Sequence, residues 1–507
     1  MSLALRGARL PGHDGPVDLL VDDGRITSIT PAAHAASGVP AGAEPLSVDG
    51  RWVVPGLWDN HVHFTQWART SRRIDVSDAE SAAHAARLVE VAARARDDEV
   101  LVGFGYHCAL WPDEPTNELL DRAGRGKPVV LIAGDLHACW LSSAAAVRFA
   151  GRAGDAGDAA GAGDAGAVGK TRDAVLREDE AFAVIAALES RDEPDLDTWA
   201  LEAARRAAER GVVGVVDLEM AWNLDTWLGR IGDGQDSLRV EFGTYTRDLG
   251  RLIDLGLRTG DVVDGGRGLL RAGPFKIITD GSLNTRTAYC FDPYPDSAGS
   301  AHPFGMLTVP TDELIALMKL ASDAGIEPAV HAIGDRANHL ALDAFEEVGC
   351  TGRIEHAQLL ATDDIARFAR LGVTASMQPE HAMDDRDAAD ELWAGRTGRA
   401  FPLAALHRAG VKLAFGSDAP VAPLDPWASI GSAVARSRGD REPWHPENAV
   451  SREVALNASA RTSVAVGEVA DLAIVELDPL ACTLGDLRRM PVAATLLGGR
   501  FTHTTLH

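Results

Sequence analysis

The sequence predicts an α/β fold in which eight parallel strands, each followed by helical or irregular chain, close into a (β/α)8 barrel, with a small β unit assembled from both chain ends. Three observations predict it. From about residue 206 onward, short β-branched runs alternate with amphipathic helical patterns, the pattern of a parallel sheet. The strand runs fall at 212–218, 238–245, 274–279, 327–333, 353–356, 373–377 and 411–416, and the apolar stretch ending at His61 makes eight. Finally, the first fifty residues and the last forty read as strands and hairpin turns rather than as helices.

At the N-terminus the runs 4–10, 17–21 and 25–29 are strand-like, and Asp22-Asp23-Gly24 is the hairpin turn between the last two. At the C-terminus, 470–477 and 493–497 repeat the pattern, with Gly498-Gly499-Arg500 as the turn. Such ends around a different middle imply that the termini pair. The stretch from Val53 to Phe64 opens β-branched and buried, as a strand does, and finishes in His61-Val62-His63. Residues i and i+2 of a strand share a face, so His61 and His63 would project together and hold one metal ion. Between 65 and 205 the reading is mixed: helix over 79–96, strands at 100–106 and 129–133, and helix at 142–150, 173–190 and 196–210. The Gly/Ala/Asp-rich run at about 151–169 lacks the apolar surface to order itself and is expected to be a mobile loop. Helical patterns at 311–324, 336–348, 362–371 and 401–409 lie between the later strands.

Composition excludes several classes of function. Lys+Arg 49 against Asp+Glu 74 leaves a net charge of −25, which repels nucleic acid and anionic lipid. No stretch approaches the roughly 18 apolar residues of a membrane helix, and the first residues lack a signal-peptide pattern. Five cysteines, 108, 139, 290, 350 and 482, are scattered without a Cys-x-x-Cys pair, which favours the cytoplasm and leaves metal binding to histidine and carboxylate. Monomer and homodimer both remain open.

In a barrel of this kind reactive groups gather at the C-terminal ends of the strands. There the sequence places His61 and His63 on strand one, Lys276 on strand four, His331 on strand five, His356 on strand six and Asp418 after strand eight. Imidazole and carboxylate at this density suit zinc or a similar divalent ion. The lysine is the odd member, since an ammonium is repelled by a cation. Burial lowers a lysine pKa, and a neutral amine takes up carbon dioxide to give a carbamate, an anionic ligand able to bridge two metals. Taken singly each residue has a structural reading: His356 as a satisfied core histidine, Asp418 as a helix cap, Lys276 as a snorkelling chain. Jointly, at five of the eight strand ends, the pattern points to one metal site.

These motifs resemble the metal-dependent amidohydrolase superfamily. The resemblance rests on Val54-Pro55-Gly56 with Asp59, His61 and His63, on Lys276-Ile277-Ile278-Thr279-Asp280-Gly281-Ser282-Leu283, on His331-Ala332-Ile333-Gly334-Asp335, and on Arg353-Ile354-Glu355-His356-Ala357-Gln358. Gln378-Pro379-Glu380-His381, Gly416-Ser417-Asp418-Ala419-Pro420-Val421 and Ala470-Asp471-Leu472 complete the set in order along nearly the whole chain. More narrowly, the chain is similar to the branch that includes N-substituted formamide deformylase and the YtcJ-like proteins. The resemblance implies a barrel over 55–64 and 206–461, a β-sandwich over 1–54 and 462–507, and an inserted segment over 65–205. It also implies two zinc ions bridged by a carboxylated Lys276, with His61, His63, His331, His356 and Asp418 as the other ligands. Two features depart from the branch: the Gly/Ala/Asp run, and Ser142-Ser143 where asparagine is usual near Asp135-Leu136-His137.

The expected chemistry is hydrolysis of a non-peptide C–N bond in a small amide, an N-substituted formamide or N-acyl amine. A hydroxide held by the metals attacks, and Asp418 carries its proton to the departing nitrogen. His381 either steadies the oxyanion or sits on the surface. Asp280, Asp335 and Arg336 are expected to support or cap rather than react. Trp58, Trp67, Trp111, Trp140, Trp222 and Trp227 lie on segments near the expected mouth; any that line it would favour an apolar N-substituent. Three alternatives stand. A ring deaminase on this fold would need an acid three residues after His331, where Gly334 stands. An ester or phosphotriester hydrolase would use the same metal centre. An inert relative of the fold would be expected to have lost ligands.

Overall fold

The computed structural model describes residues 2–32, 42–70, 72–96, 98–150, 174–189, 193–297 and 299–506. Eight parallel strands form one sheet in sequence order: Leu57–Val62, Val212–Asp217, Arg239–Tyr245, Leu270–Ile278, Pro328–Ala332, Arg353–His356, Thr374–Met377 and Leu413–Phe415. The last meets the first through the Val62–Ala419 bridge, the Asp418 N–H donating to His61 O at 2.7 Å and the Asn60 side chain donating to Phe415 O at 2.9 Å. The sheet is therefore a barrel. Its strands are buried on both faces, which is why runs such as Val212–Asp217 are almost uninterruptedly apolar.

Closure depends on one glycine. A Cβ on Gly416 would lie 2.7 Å from the His61 amide nitrogen and 2.8 Å from the His61 Cβ, so the eighth strand approaches the first this closely only without a side chain. Gly416→Ala is expected to destabilise the protein by about 1–3 kcal/mol, read as a lowered melting temperature.

Two four-stranded sheets cover one side. The first runs Arg25–Pro31, Val17–Asp22, Ser2–Ala8, Ala43–Ser47, and the second Arg500–Thr504, Val492–Leu497, Leu472–Val475, Trp52–Pro55. They share a core that includes Leu5, Leu19, Ile26, Val53, Ile474 and Leu496. The hairpin turns read from sequence are present, with Asp23, Gly24, Gly498 and Gly499 all at positive φ. The stretch from Val53 to Phe64, read as a single strand, is two: Trp52–Pro55 pairs with Leu472–Val475, and the chain enters the barrel after Gly56. Arg239 and Asp471 lock the covering sheets to the barrel by paired contacts of 2.7 and 3.0 Å.

Between the first two barrel strands lies a five-stranded sheet, Ile74–Asp75, Leu101–Tyr106, Val129–Ala133, Ala138–Leu141 and Val175–Arg177. Val175–Arg177 corrects the helix read over 173–190, which begins only at Asp179; Val175 and Leu176 are β-branched or apolar and pair with Ala138–Leu141. The Gly/Ala/Asp run falls outside the described residues. Flanking helices Phe64–Thr70 and Leu196–Ala208 pack on the barrel; the second presents Ala200, Ala203, Ala204 and Ala207 as a smooth stripe that allows close approach. Among the described residues, no helix is long and apolar enough to cross a membrane, and the five cysteines form no disulfide.

Candidate metal centre

The strand ends bring the six candidate ligands to one place. Donor atoms of His61, His356 and Asp418 lie within 4.8 Å of one another. Asp418 Oδ1 is 3.3 Å from His61 Nε2 and 3.2 Å from His63 Nε2. Lys276 Nζ reaches to 3.5 Å from His61 Nε2, and the His331 ring packs against that of His356 with centroids 4.4 Å apart. All six side chains are buried.

Backbone conformation explains how neighbours in sequence face the same cavity. By strand alternation Glu355 and His356 should point oppositely. Glu355 does point inward, its Oε2 2.7 Å from His61 Nδ1. His356 ends the strand at φ +70°, a left-handed conformation unusual for a non-glycine residue, and this turns its ring back into the mouth. Asp418, at φ +58°, is aimed in the same way.

The electrostatics suit a cation. Burial, and then the Lys276 charge, lowers His61 to about 4; burial lowers His331 and takes His356 well below its usual range. The lowered values favour the deprotonated imidazole, the form that ligates. Burial alone would raise Asp418, but His61, His63 and His356 outweigh it and hold the carboxylate well below the usual range. Lys276 is brought down to about 8 by burial, so a neutral amine is accessible. The donor set also carries unmet bonding capacity: His63 Nδ1, His331 Nε2, His356 Nδ1 and Asp418 Oδ1 are sealed from solvent with no hydrogen-bond partner among the described residues. Each such atom ordinarily costs about 1–3 kcal/mol. Clustered ligand atoms left without partners fit a divalent ion.

Supporting contacts hold the rings. Glu355 is itself paired with Arg353, at 2.6 Å. Asp280 accepts from the backbone of Ile333, Gly334 and Tyr289 and lies 3.2 Å from His331 Nδ1, so it supports a ring rather than reacting. Asp59 accepts from the Ser417 and His61 amides and is pushed up to about 7 by burial. Asp335 accepts from the Phe291 amide and pairs with Arg399, and Arg336 stacks on Tyr289; both lie apart from the ligands. His381 opens the helix His381–Leu392 with its Nε2 3.9 Å from Asp418 Oδ2, and is buried, not a surface residue.

The tryptophans read as near the mouth do not line this cavity. Trp111 and Trp140 pack with Tyr106 inside the inserted segment, Trp58 lies under Arg461, Trp222 under Arg251, and Trp227 donates to Asp217. Trp67 lines a neighbouring groove with Phe104, Pro420 and Val421. Sequence reading passed over a different group. His137, on the turn between Val129–Ala133 and Ala138–Leu141, enters the cavity beside Lys276, His331, His356 and Asp418. Burial opposes its charge, but Glu178, 2.7 Å away, raises it to about 9, while Glu178 falls to about 2 against its own desolvation. The Asp135-Leu136-His137 run was the available signal.

Fold and site together define a (β/α)8 barrel with a ligand-rich mouth. The model of the amidohydrolase family matches residues 47–503, and the chain belongs to that family. It is 28% identical to Protein LONG AFTER FAR-RED 3 of Arabidopsis thaliana, across 95% of this chain and 87% of that one. It is 26% identical to N-substituted formamide deformylase of Arthrobacter pascens, across 95% and 94%. Among solved structures, an uncharacterized metal-dependent hydrolase from Pyrococcus furiosus superposes with a TM-score of 0.73 at 25% identity, over 95% of this chain and 100% of that one.

Proposed function

We propose that the protein is a metal-dependent amidohydrolase that cleaves a non-peptide C–N bond of a small amide, such as an N-substituted formamide or N-acyl amine. The observation that carries this reading is the convergence of His61, His63, Lys276, His331, His356 and Asp418, with His331 Nε2, His356 Nδ1 and Asp418 Oδ1 buried and without a hydrogen-bond partner among the described residues. These residues would hold two divalent ions, most suitably zinc, with Lys276 as a carbamate between them. When bound, such ions activate water at neutral pH and polarise a carbonyl.

The chain's own part is proton handling and positioning. Asp418 is ionised, faces the ligand cluster through Oδ1 and His381 through Oδ2, and so accepts the proton of the attacking water and returns it to the departing nitrogen. An amine leaves only when that proton arrives. His381, with a buried Nε2 that has no hydrogen-bond partner among the described residues, is placed to donate to the carbonyl oxygen as it gains charge. Glu355 and Asp280 fix the rings of His61 and His331.

A panel of N-formyl and N-acyl amines incubated with zinc-loaded protein tests the reading. Hydrolysis of at least one member, abolished by chelation and restored by zinc, is expected. Less than one equivalent of metal after growth with zinc, together with no turnover of any member, contradicts it.

A further inference from the structure

The inserted segment does more than cover the barrel. Its turn at Gly134, Asp135 and Leu136 is pinned to the loop after the fourth barrel strand, where Ser282 Oγ donates to Asp135 Oδ2 at 2.6 Å. That contact delivers His137 to the mouth, its ring centroid 5.7 Å from that of His331. Glu178, also from the insert, receives His137 Nδ1 on Oε2 at 2.7 Å, while its Oε1 accepts from Thr285 at 3.1 Å and Thr287 at 2.5 Å. A carboxylate so occupied accepts the Nδ1–H and, as a buried counter-charge at 2.7 Å, favours the imidazolium, so that Nε2 carries a proton as well and the ring orientation is fixed. The other ring nitrogen, Nε2, has no protein partner among the described residues and faces the cavity lined by Lys276, His356 and Asp418. An imidazole steered by a carboxylate, with its free nitrogen turned to a ligand-rich cavity, is built to touch something that enters.

We propose that His137 is a substrate-contacting residue whose Nε2 hydrogen-bonds the scissile carbonyl oxygen as it becomes a tetrahedral oxyanion, with Glu178 as its positioning residue. The inference rests on the amidohydrolase reading for the identity of the carbonyl. It places a group from the inserted segment beside His331, in a mouth that His381 and Asp418 also line. The insert is then part of the reaction site, and substrate is held between barrel and insert.

The test pairs two variants with a probe that has no scissile bond. His137→Phe keeps an aromatic ring against His331 but removes Nε2; Glu178→Gln keeps the shape but loses the charge. Methylphosphonate, a tetrahedral oxyanion, is titrated into each zinc-loaded protein and metal content is measured alongside. Both variants are expected to keep wild-type metal content and to bind methylphosphonate at least about tenfold more weakly. On any amide the wild type hydrolyses, kcat falls roughly 10²–10³-fold in His137→Phe with KM little changed, and His137→Gln, which retains a donor, recovers part of the loss. Wild-type affinity for methylphosphonate in His137→Phe, or no binding by the wild type itself, overturns the proposal, as does metal loss in both variants. If no amide is hydrolysed, the hydrolase reading fails while the methylphosphonate comparison still decides on His137.

Discussion

Asp418→Asn is expected to keep most of the bound metal and to lose roughly 10²–10⁴-fold in kcat, the range of a missing general acid–base group. The carboxamide has nearly the shape of the carboxylate and still offers an oxygen towards His61 and His63, whose distances of 3.3 and 3.2 Å define the ligand side. It cannot take up and return a proton. The loss should be smaller for substrates with a good leaving group, because a departing amine needs protonation and an activated ester does not. Metal and activity falling together would assign Asp418 to ligation alone.

Lys276→Met is the second large effect. The side chain is buried against His61, and methionine fills similar space without a nitrogen that carbon dioxide can modify. The variant is expected to fall from two metal equivalents to one or none and to lose hydrolysis altogether. In the wild-type apoprotein, burial brings the Lys276 amine down to about 8. The neutral amine is the form that reacts with carbon dioxide, so its fraction rises as pH rises through about 8. Reloading with zinc and bicarbonate should accordingly be faster at pH 9 than at pH 7. A carbamate carbon in the ¹³C spectrum after growth with labelled bicarbonate, absent from Lys276→Met, checks the same point.

Much of the barrel was legible because a parallel sheet covered on both faces leaves an unmistakable mark: apolar runs such as those at 212–218 and 327–333, separated by helical periods. The ligand-bearing positions were legible for a related reason. Polar residues closing such runs, as His331 and His356 do, stand out against their surroundings. What the sequence concealed is set by dihedral angles and long-range packing. Nothing local announces that His356 adopts φ +70° and so shares a cavity with Glu355. The break between the Trp52–Pro55 and Leu57–Val62 strands is equally hidden, because the first segment and the start of the second, Leu57-Trp58, are both apolar and only Gly56 separates them. The tryptophans misled for the opposite reason: Trp140 and Trp227 are fully buried, and their indole N–H groups are satisfied by Thr116 O and Asp217. His137 and Glu178 lie 41 residues apart and meet only through the folding of the insert.

The central claim is that distant side chains assemble a two-metal site around a modified lysine. An anomalous-scattering map of zinc-loaded crystals tests it most directly. Two peaks flanked by His61, His63, His331, His356 and Asp418, with density for a carboxylate continuous with Lys276 Nζ between them, is the predicted result. A single peak, or none, beside an unmodified Lys276 would contradict it.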